Sequence, residues 1–174
     1  MAVFYPTLYR RRITDVTAED LRRLDVRGVL LDVDNTLTTH DAPDLTEDVK
    51  NWLTAMQARG FVLVIVSNNS PQRVAPFASK LGLPYSANAR KPLPVGYRAA
   101  SVEINVPLKE CVAIGDQIFT DVIGANLAGI PSILLEPIQL EVDQKFIAFK
   151  RKIERPMLNT RKQKERREKD YGVR

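Results

Sequence analysis

Two aspartates stand one residue apart at the end of an apolar run in the stretch GVLLDVDNTLTTH, which begins at Gly28. The two-residue period of a β-strand places Asp32 and Asp34 on the same side of the chain. Two close carboxylates repel each other, and one would take up a proton unless a cation neutralises the pair. The spacing therefore predicts a cation at this strand end.

Polar residues also follow three more of the predicted strands. Ser67 begins SNN after the apolar run FVLVIV, Lys91 lies in ARKP after a weaker strand, and Asp116 follows CVAIG. In open α/β sheets, ligands bind beyond the carboxyl ends of the strands. Carboxylate oxygens suit hard ions, and Mg²⁺ commonly takes substrate phosphate as a further ligand. The pattern predicts a Mg²⁺ site that includes Asp32, Asp34 and Asp116. We expect Ser67 and Lys91 to hold phosphate oxygens there.

The DVDNT stretch fits neither a calcium loop nor a nucleotide-binding loop. A calcium loop of the EF-hand type requires Gly at its sixth position and Glu at its twelfth, where this chain has Leu37 and Pro43. The chain contains neither a Walker-type phosphate loop nor a GxGxxG pattern, so use of ATP or NAD is not indicated. The remaining alternative is that Asp32 and Asp34 merely cap a turn, which leaves the matching positions on separate strands unexplained.

The elements that would position these residues alternate between strands and helices. Apolar runs that fit short strands are VLLDVD, FVLVIV, PYSANA, CVAIG and PSILLE, and stretches with helical spacing of apolar residues lie between them. Thr17 and Thr46 are predicted to begin two of the helices, which Gly28 and Gly60 would end. This alternation predicts a three-layer α/β/α, Rossmann-like fold with a parallel sheet of about five strands.

The composition is that of a soluble globular chain whose charge is unevenly distributed. The 174 residues carry a net charge of +5, and 44% of them are hydrophobic. Residues 145–174 contain 12 Lys and Arg against 4 Asp and Glu. We therefore predict a core over residues 1–141 and a basic C-terminal helix and tail over 142–174. The sequence shows no signal-peptide pattern and no apolar run of about 18 residues, which predicts a cytoplasmic protein.

The predicted C-terminal helix is amphipathic. Val142, Phe146, Phe149 and Ile153 share one helical face, and Pro156 is expected to end the helix. This face either packs on the core or enters the interface of an anionic membrane, whose surface attracts Lys and Arg. RNA would attract the same charges, although the tail lacks the interleaved aromatic and basic residues of an RNA-binding module. Peripheral contact with an anionic membrane is thus predicted ahead of contact with nucleic acid.

Four motifs together resemble those of the haloacid dehalogenase (HAD) superfamily of phosphohydrolases. DVDNT resembles motif I (DxDxT), Ser67 motif II, Lys91 motif III and GDQIFTD motif IV (GDxxxxD), in the same order and with similar spacing. GVLLDVDNTL, VIVSNN, ARKP, AIGDQIFTDVIGAN and KRKIER are further similar to the YqeG family of HAD subclass IIIA, over nearly the whole chain. Asn35 stands where many HAD phosphatases have Gly, as it does in YqeG-type sequences.

The resemblance implies a role for each matched residue. Asp32 would be the nucleophile that forms an aspartyl-phosphate, and Asp34 would protonate the leaving alcohol before acting as base for the hydrolytic water. Asp32, the Asp34 backbone carbonyl and Asp116 would hold Mg²⁺, while Asp121 would support the waters on the metal. The residues expected to bind the phosphoryl group are Ser67, Asn68 and Lys91.

The resemblance also bears on the substrate. Many HAD phosphatases carry a cap domain, but the segment TLTTHDAPDL and the 23 residues between Ser67 and Lys91 are too short to hold one. An open site suits a bulky substrate or a headgroup presented on a surface. YqeG-type proteins are similar to mitochondrial phosphatidylglycerophosphate phosphatases, which implies a phosphomonoester on an anionic lipid headgroup. The alternatives are a HAD phosphatase acting on a sugar phosphate, nucleotide or phosphoprotein, and an RNA- or ribosome-binding protein with a vestigial site.

Overall fold

The computed structural model describes residues 3–39 and 44–139, in which six parallel strands form one sheet with the order β1-β6-β5-β2-β3-β4. The strands are β1 (Leu8–Arg10), β2 (Gly28–Leu31), β3 (Val62–Val66), β4 (Tyr85–Ser86), β5 (Cys111–Gly115) and β6 (Ser132–Leu135). The helices are α1 (Ala18–Arg23), α2 (Glu47–Ala58), α3 (Pro71–Leu81), α4 (Val95–Glu103) and α5 (Ile123–Ala128). Short 3-10 turns cover Ile13–Asp15 and Leu108–Glu110, and a π-helical turn, Ile118–Val122, precedes α5.

Alternate strand residues pack against helices on opposite faces of the sheet. Leu31 belongs to a cluster that includes Trp52 of α2, whereas its neighbour Leu30 belongs to a cluster that includes Tyr97 of α4. Strands covered on both faces need apolar residues at every position, which explains the uninterrupted apolar runs in the sequence. The predicted three-layer α/β/α fold is confirmed.

The sheet has six strands, one more than the predicted count of about five. The additional strand, β1, runs parallel to β6, with Leu8 opposite Ile133 and Arg10 opposite Leu135. Only Tyr9 is buried in the three-residue sequence LYR. Such a short edge strand carries no apolar run or alternation of its own. Its extended conformation is stabilised by pairing with β6.

A capping box begins α1 and joins it to β1. The Thr17 hydroxyl accepts a hydrogen bond from the Asp20 N–H at 3.0 Å, and the Asp20 carboxylate accepts one from the Thr17 N–H at 3.0 Å. Arg10 Nε donates to the same carboxylate at 3.1 Å. The predicted start at Thr17 is confirmed, but α1 ends at Arg23 rather than at the predicted Gly28, which instead begins β2.

No inserted domain interrupts residues 3–39 or 44–139. Segment 32–46 joins β2 to α2, and β3 reaches β4 through α3. The predicted domain boundary after residue 141 and the predicted basic helix with Phe146 and Phe149 lie outside the described residues. Among the helices within the described ranges, none is long and apolar enough to cross a membrane.

Candidate active site

Three neighbouring strands deliver three of the predicted site residues to one edge of the sheet. β2 lies between β3 and β5 and is paired in register with both. Asp32 directly follows β2, Ser67 follows β3, and Asp116 follows β5. Because parallel strands end at the same edge, the residues that follow them converge. The expected grouping at the carboxyl ends of the strands is therefore present.

Three carboxylates form a compact acidic cluster at this edge. Asp32, Asp116 and Asp121 each offer an oxygen within 4.8 Å of the other two. Asp116 and Asp121 are only 2% and 4% exposed. Buried carboxylate oxygens at this spacing are ligands that fit a divalent cation. The family resemblance implied an outer position for Asp121, yet its carboxylate lies as close to the cluster as the other two.

Lys91 lies inside this cluster. Its Nζ donates to Asp32 Oδ1 at 2.6 Å and to Asp121 Oδ1 at 2.7 Å, and its side chain is buried. Burial alone would lower the pKa of Lys91, but the charges of Asp121 and Asp32 outweigh that effect and raise its pKa above the ordinary value. Lys91 is therefore a permanent cation between two carboxylates.

The acidic cluster holds more negative charge than Lys91 alone can offset. Burial raises the pKa of Asp32 well above its ordinary value, and the neighbouring charges of Asp121 and Asp116 add to that effect, while Lys91 opposes it. A divalent cation among these oxygens would act in the same direction as Lys91 and favour the ionised carboxylates. The electrostatics and the donor atoms thus fit a metal at this position.

Asn68 fixes the backbone of Lys91. Its Nδ2 donates to the Lys91 carbonyl at 3.0 Å, and its Oδ1 accepts from the Lys91 N–H at 2.7 Å. Both ends of the side-chain amide are therefore bonded to one residue, which itself precedes a cis Lys91–Pro92 peptide bond. The sequence-based expectation was that Asn68 contacts phosphate. This geometry instead favours a positioning role for the Asn68 side chain.

Because Gly115 has no side chain, the Asp121 carboxylate can lie directly against its backbone. A Cβ atom at Gly115 would lie 2.3 Å from Asp121 Cγ. The π-helical turn Ile118–Val122 carries Asp121 back toward the sheet, where its Oδ2 accepts from the Gln117 N–H at 3.1 Å. The Tyr97 hydroxyl of α4 donates to the Asp121 carbonyl at 3.4 Å. Such π-helical turns often occur at functional sites.

The Asp34 side chain contacts Asn69 and the first turn of α3. Its Oδ2 accepts from Asn69 Nδ2 at 2.6 Å, and Arg73 Nη2 donates to its Oδ1 at 3.1 Å. Sequence analysis missed both partners. Arg73 did carry a signal, because a cation in the first turn of a helix is unfavourable for the helix dipole and indicates that the side chain has a partner elsewhere.

Asn35 ties the turn after Asp34 to the chain beyond β6. Its φ of 60° lies in the left-handed region, which Asn tolerates better than most residues. The Asn35 carbonyl accepts from the Ile138 N–H at 3.1 Å, and its Oδ1 accepts from the Gln139 N–H at 3.2 Å. A Gly at this position would supply the backbone conformation without the side-chain bond. The turn and residues 138–139 are therefore joined by two hydrogen bonds.

The site is a cluster of carboxylates and a lysine at the carboxyl edge of a Rossmann-like parallel sheet. This arrangement is the one expected of the hydrolases that the motifs predicted, and a comparison with protein families supports that class. The model of the haloacid dehalogenase-like hydrolases matches residues 39–129, a range that includes Ser67, Lys91, Asp116 and Asp121 but begins after Asp34. The chain therefore belongs to the haloacid dehalogenase-like hydrolase family, as its motifs predicted.

Individual relatives narrow this class. The chain is 36% identical over 161 residues to "Probable phosphatase YqeG" of Bacillus subtilis (strain 168), covering 92% of this chain and 93% of that protein. It is 30% identical over 98 residues to a phosphoglycolate phosphatase of Colwellia psychrerythraea (strain 34H / ATCC BAA-681), covering 51% and 43% respectively. A crystal structure of an uncharacterized protein from Listeria monocytogenes serotype 4b shares the fold, with a TM-score of 0.55, 22% identity and coverage of 67% of this chain and 84% of that one. The chain is thus a YqeG-like enzyme of the phosphoric monoester hydrolase class.

Proposed function

We propose that the chain is a Mg²⁺-dependent phosphatase that works through an aspartyl-phosphate on Asp32, with phosphatidylglycerophosphate as its preferred substrate. The observation that carries the catalytic part is the Lys91 ammonium held between Asp32 and Asp121 beside Asp116. An anionic nucleophile and an anionic phosphate repel each other, so such a site needs fixed positive charge where they meet. Lys91 supplies part of that charge.

The proposed reaction has two steps. An oxygen of Asp32 attacks phosphorus, the bond from phosphorus to the leaving oxygen breaks, and Asp34 gives its proton to that oxygen. Asp34 then takes a proton from a water molecule that attacks the aspartyl-phosphate, which releases inorganic phosphate and restores Asp32. Ser67 and Lys91 hold the phosphoryl oxygens during both steps. Covalent catalysis by a carboxylate thus replaces one difficult displacement with two easier ones.

Mg²⁺ suits the oxygen atoms that the site offers. The carboxylates of Asp32, Asp116 and Asp121 are hard ligands, and the Asp34 carbonyl is a further ligand implied by the family resemblance. When bound, Mg²⁺ supplies charge neutralisation and polarises the phosphoryl oxygen as a Lewis acid. Asp121, which like Asp32 accepts a hydrogen bond from Lys91, would either bind the ion or support a water on it.

The lipid part of the proposal is supported by the open approach to the site and by the basic C-terminus. No inserted domain covers the site within the described residues, so a headgroup on a surface could reach Asp34. The 12 Lys and Arg of residues 145–174 would attract an anionic leaflet. We accordingly propose that residues 142–174 act as a membrane-contacting segment of a cytoplasmic enzyme.

A second candidate is a phosphatase acting on a small dissolved phosphomonoester. The similarity to a phosphoglycolate phosphatase favours it, although that match covers 51% of this chain. An RNA-binding protein with a vestigial site is disfavoured, because Lys91 Nζ contacts Asp32 and the Asp116 carboxylate lies in the same cluster. The two enzymatic candidates differ in substrate and share one mechanism.

The test is release of inorganic phosphate with and without Mg²⁺, from phosphatidylglycerophosphate in detergent micelles and from a panel of sugar phosphates, nucleotides and phosphoglycolate. We expect Mg²⁺-dependent release that is fastest with the lipid. Turnover of dissolved phosphates alone would replace the lipid substrate with the second candidate.

The nucleophile is tested by Asp32→Asn. Because the amide cannot attack phosphorus as a carboxylate does, we expect loss of turnover with a folded protein by circular dichroism. Trapping of labelled phosphate on the wild-type protein, and its absence from Asp32→Asn, would identify the covalent intermediate. Retention of most activity by this variant would contradict the assignment.

A further inference from the structure

A cavity of about 230 Å³ lies beside Asp34 and is lined by one face of α3. Asp34 and Ser67 line the part nearest the acidic cluster, and Arg73, Phe77 and Lys80 line the part along the helix. The three α3 residues are four and three positions apart, a spacing that puts them on the same helical face. The cavity therefore connects the reacting end of the site to a helix face that carries two cations.

Among the residues that the structure describes, the charged ones that line the cavity are one acid and two bases. Arg73 Nη2 lies 3.1 Å from Asp34 Oδ1, and the Arg73 side chain is nevertheless 41% exposed. Lys80 Nζ lies 3.0 Å from Asp44 Oδ1, with both side chains exposed, and ion pairs of this kind contribute little and exchange readily. Both cations are thus exposed enough for an anionic ligand that enters the cavity to reach them in competition with their carboxylate partners.

We propose that this cavity holds the leaving-group part of the substrate and that Arg73, assisted by Lys80, binds a second phosphate group on it. The proposal rests on the proposed phosphatase function, since Asp34 marks the leaving-group side only if it protonates the leaving oxygen. A guanidinium carries five N–H donors in one plane, so it can contact Asp34 and a second oxyanion together. Arg73, which touches Asp34, is the nearer of the two to the leaving oxygen, and Lys80 lies about 10 Å farther along the helix axis.

The substrate class defined in this way is a phosphomonoester whose alcohol carries another phosphate. That second group is either the phosphodiester of a lipid headgroup or a phosphate on a small dissolved bisphosphate, and Arg73 would recognise the same oxyanion in both. A neutral alcohol would leave Arg73 and Lys80 without this contact. The cavity therefore selects by charge at a point remote from the reacting phosphorus.

The test is binding in the Asp32→Asn background, which keeps the ligands intact during calorimetry with Mg²⁺ present. The probes are glycerol 1-phosphate and glycerol 1,3-bisphosphate, which differ by the second phosphate. We expect the bisphosphate to bind at least tenfold more tightly, as charge-assisted hydrogen bonds provide. Adding Arg73→Gln should reduce that preference to about threefold or less, and Lys80→Gln should reduce it by a smaller factor.

Two further variants separate recognition from general effects of charge and folding. Arg59→Gln removes an exposed cation at the end of α2, outside the residues that line the cavity, and should leave the preference unchanged. Arg73→Lys keeps the charge without the planar fork and should give an intermediate preference. Equal affinity for the two probes, or an equal preference with and without Arg73, would overturn the inference.

A third probe distinguishes a lipid headgroup from a dissolved bisphosphate as the molecule that carries the second phosphate. Phosphatidylglycerophosphate in micelles that binds more tightly than the bisphosphate, with the same loss in Arg73→Gln, assigns a lipid headgroup. Equal binding assigns a dissolved bisphosphate. Failure of the phosphatase proposal would appear separately, as absence of phosphate release from the protein that retains Asp32, whatever the binding preference.

Discussion

The Asn68 side chain is hydrogen-bonded to both main-chain groups of Lys91: it donates to the Lys91 carbonyl at 3.0 Å and accepts from the Lys91 N–H at 2.7 Å. The two residues come from different strand ends, since Asn68 follows β3 and Lys91 follows β4. A long, flexible lysine is thereby anchored at its base before its ammonium reaches Asp32. The Lys91 ammonium is thus positioned by an amide whose two ends are both bonded to the Lys91 main chain.

Asn68→Ala should lower kcat/KM by about tenfold to a hundredfold, because small displacements of a catalytic group are costly. It should also lower the free energy of unfolding by about 1–3 kcal/mol for the lost hydrogen bonds. Asn126→Ala is a matched control, since Asn126 Nδ2 likewise donates to main-chain carbonyls, those of Val3 at 2.6 Å and Tyr5 at 3.1 Å. Steady-state kinetics and thermal melts of both variants provide the measurement. Equal loss of activity in the two would contradict the positioning role.

Lys91→Met should make the protein depend on a divalent cation for its stability. Removing one partner of a buried ion pair leaves an uncompensated charge that costs about 3–5 kcal/mol. Added Mg²⁺ would neutralise Asp32 and Asp121, so it should raise the Tm of this variant more than that of the wild type. Lys50→Met, which breaks an exposed pair with Glu47, serves as the control and should melt like the wild type. An equal Mg²⁺ shift in Lys91→Met and wild type would contradict the idea that the ion takes over the role of the Lys91 charge, and no shift in either protein would contradict the metal assignment.

Gly115→Ala should displace Asp121, because the new Cβ would lie 2.3 Å from Asp121 Cγ. We expect loss of most activity and weaker Mg²⁺ binding, measured by kinetics and by calorimetry. Gly60→Ala tests whether any glycine substitution has this effect: Gly60 has a φ of 88° but open space around it. It should cost stability through backbone strain alone and leave Mg²⁺ affinity intact. The same Mg²⁺ affinity in both variants would show that the Gly115 contact is unimportant.

Asp20 gives the fold a predictable response to acid. Burial would raise the pKa of Asp20, but hydrogen bonds from Arg10 and from the Thr17 backbone outweigh it and hold that pKa below its ordinary value. A carboxyl of this kind stabilises the fold above its unfolded pKa, and the contribution disappears as the pH falls. Asp20→Asn should therefore melt several degrees below the wild type near neutral pH, with the gap closing below about pH 4. Asp48→Asn, at an exposed position in α2, should show a small and nearly constant gap across the same melts.

The sequence was sufficient for the residues that directly follow strands. A parallel sheet brings the carboxyl ends of its strands to one edge. Predicting the strands was therefore enough to expect that Asp32, Ser67 and Asp116 lie at the same edge. Lys91 lies beyond a two-residue strand, β4, and was placed by its motif more than by its surroundings. The grouping also depends on β2 lying between β3 and β5, an order that the linear sequence does not state and the structure supplies.

The contacts that depend on side-chain direction could not be foreseen. Asn68 belongs to the same SNN stretch as Ser67, yet Ser67 lines the cavity beside Asp34 whereas the Asn68 side chain is bonded to the Lys91 backbone. Arg73 carries an indirect signal, its unfavourable place in the first turn of α3, but that signal does not identify Asp34 as its partner. Such roles arise from how separate elements pack, and a linear pattern does not contain that information.

The two hydrogen bonds that Asn35 accepts from the Ile138 and Gln139 N–H groups have a practical consequence for protein engineering. A truncation after Leu135 would spare every strand but release the turn that carries Asp34, so a variant shortened there should fold and still lose activity. A fluorescent or solubility tag should accordingly be joined after Gln139 and not before it.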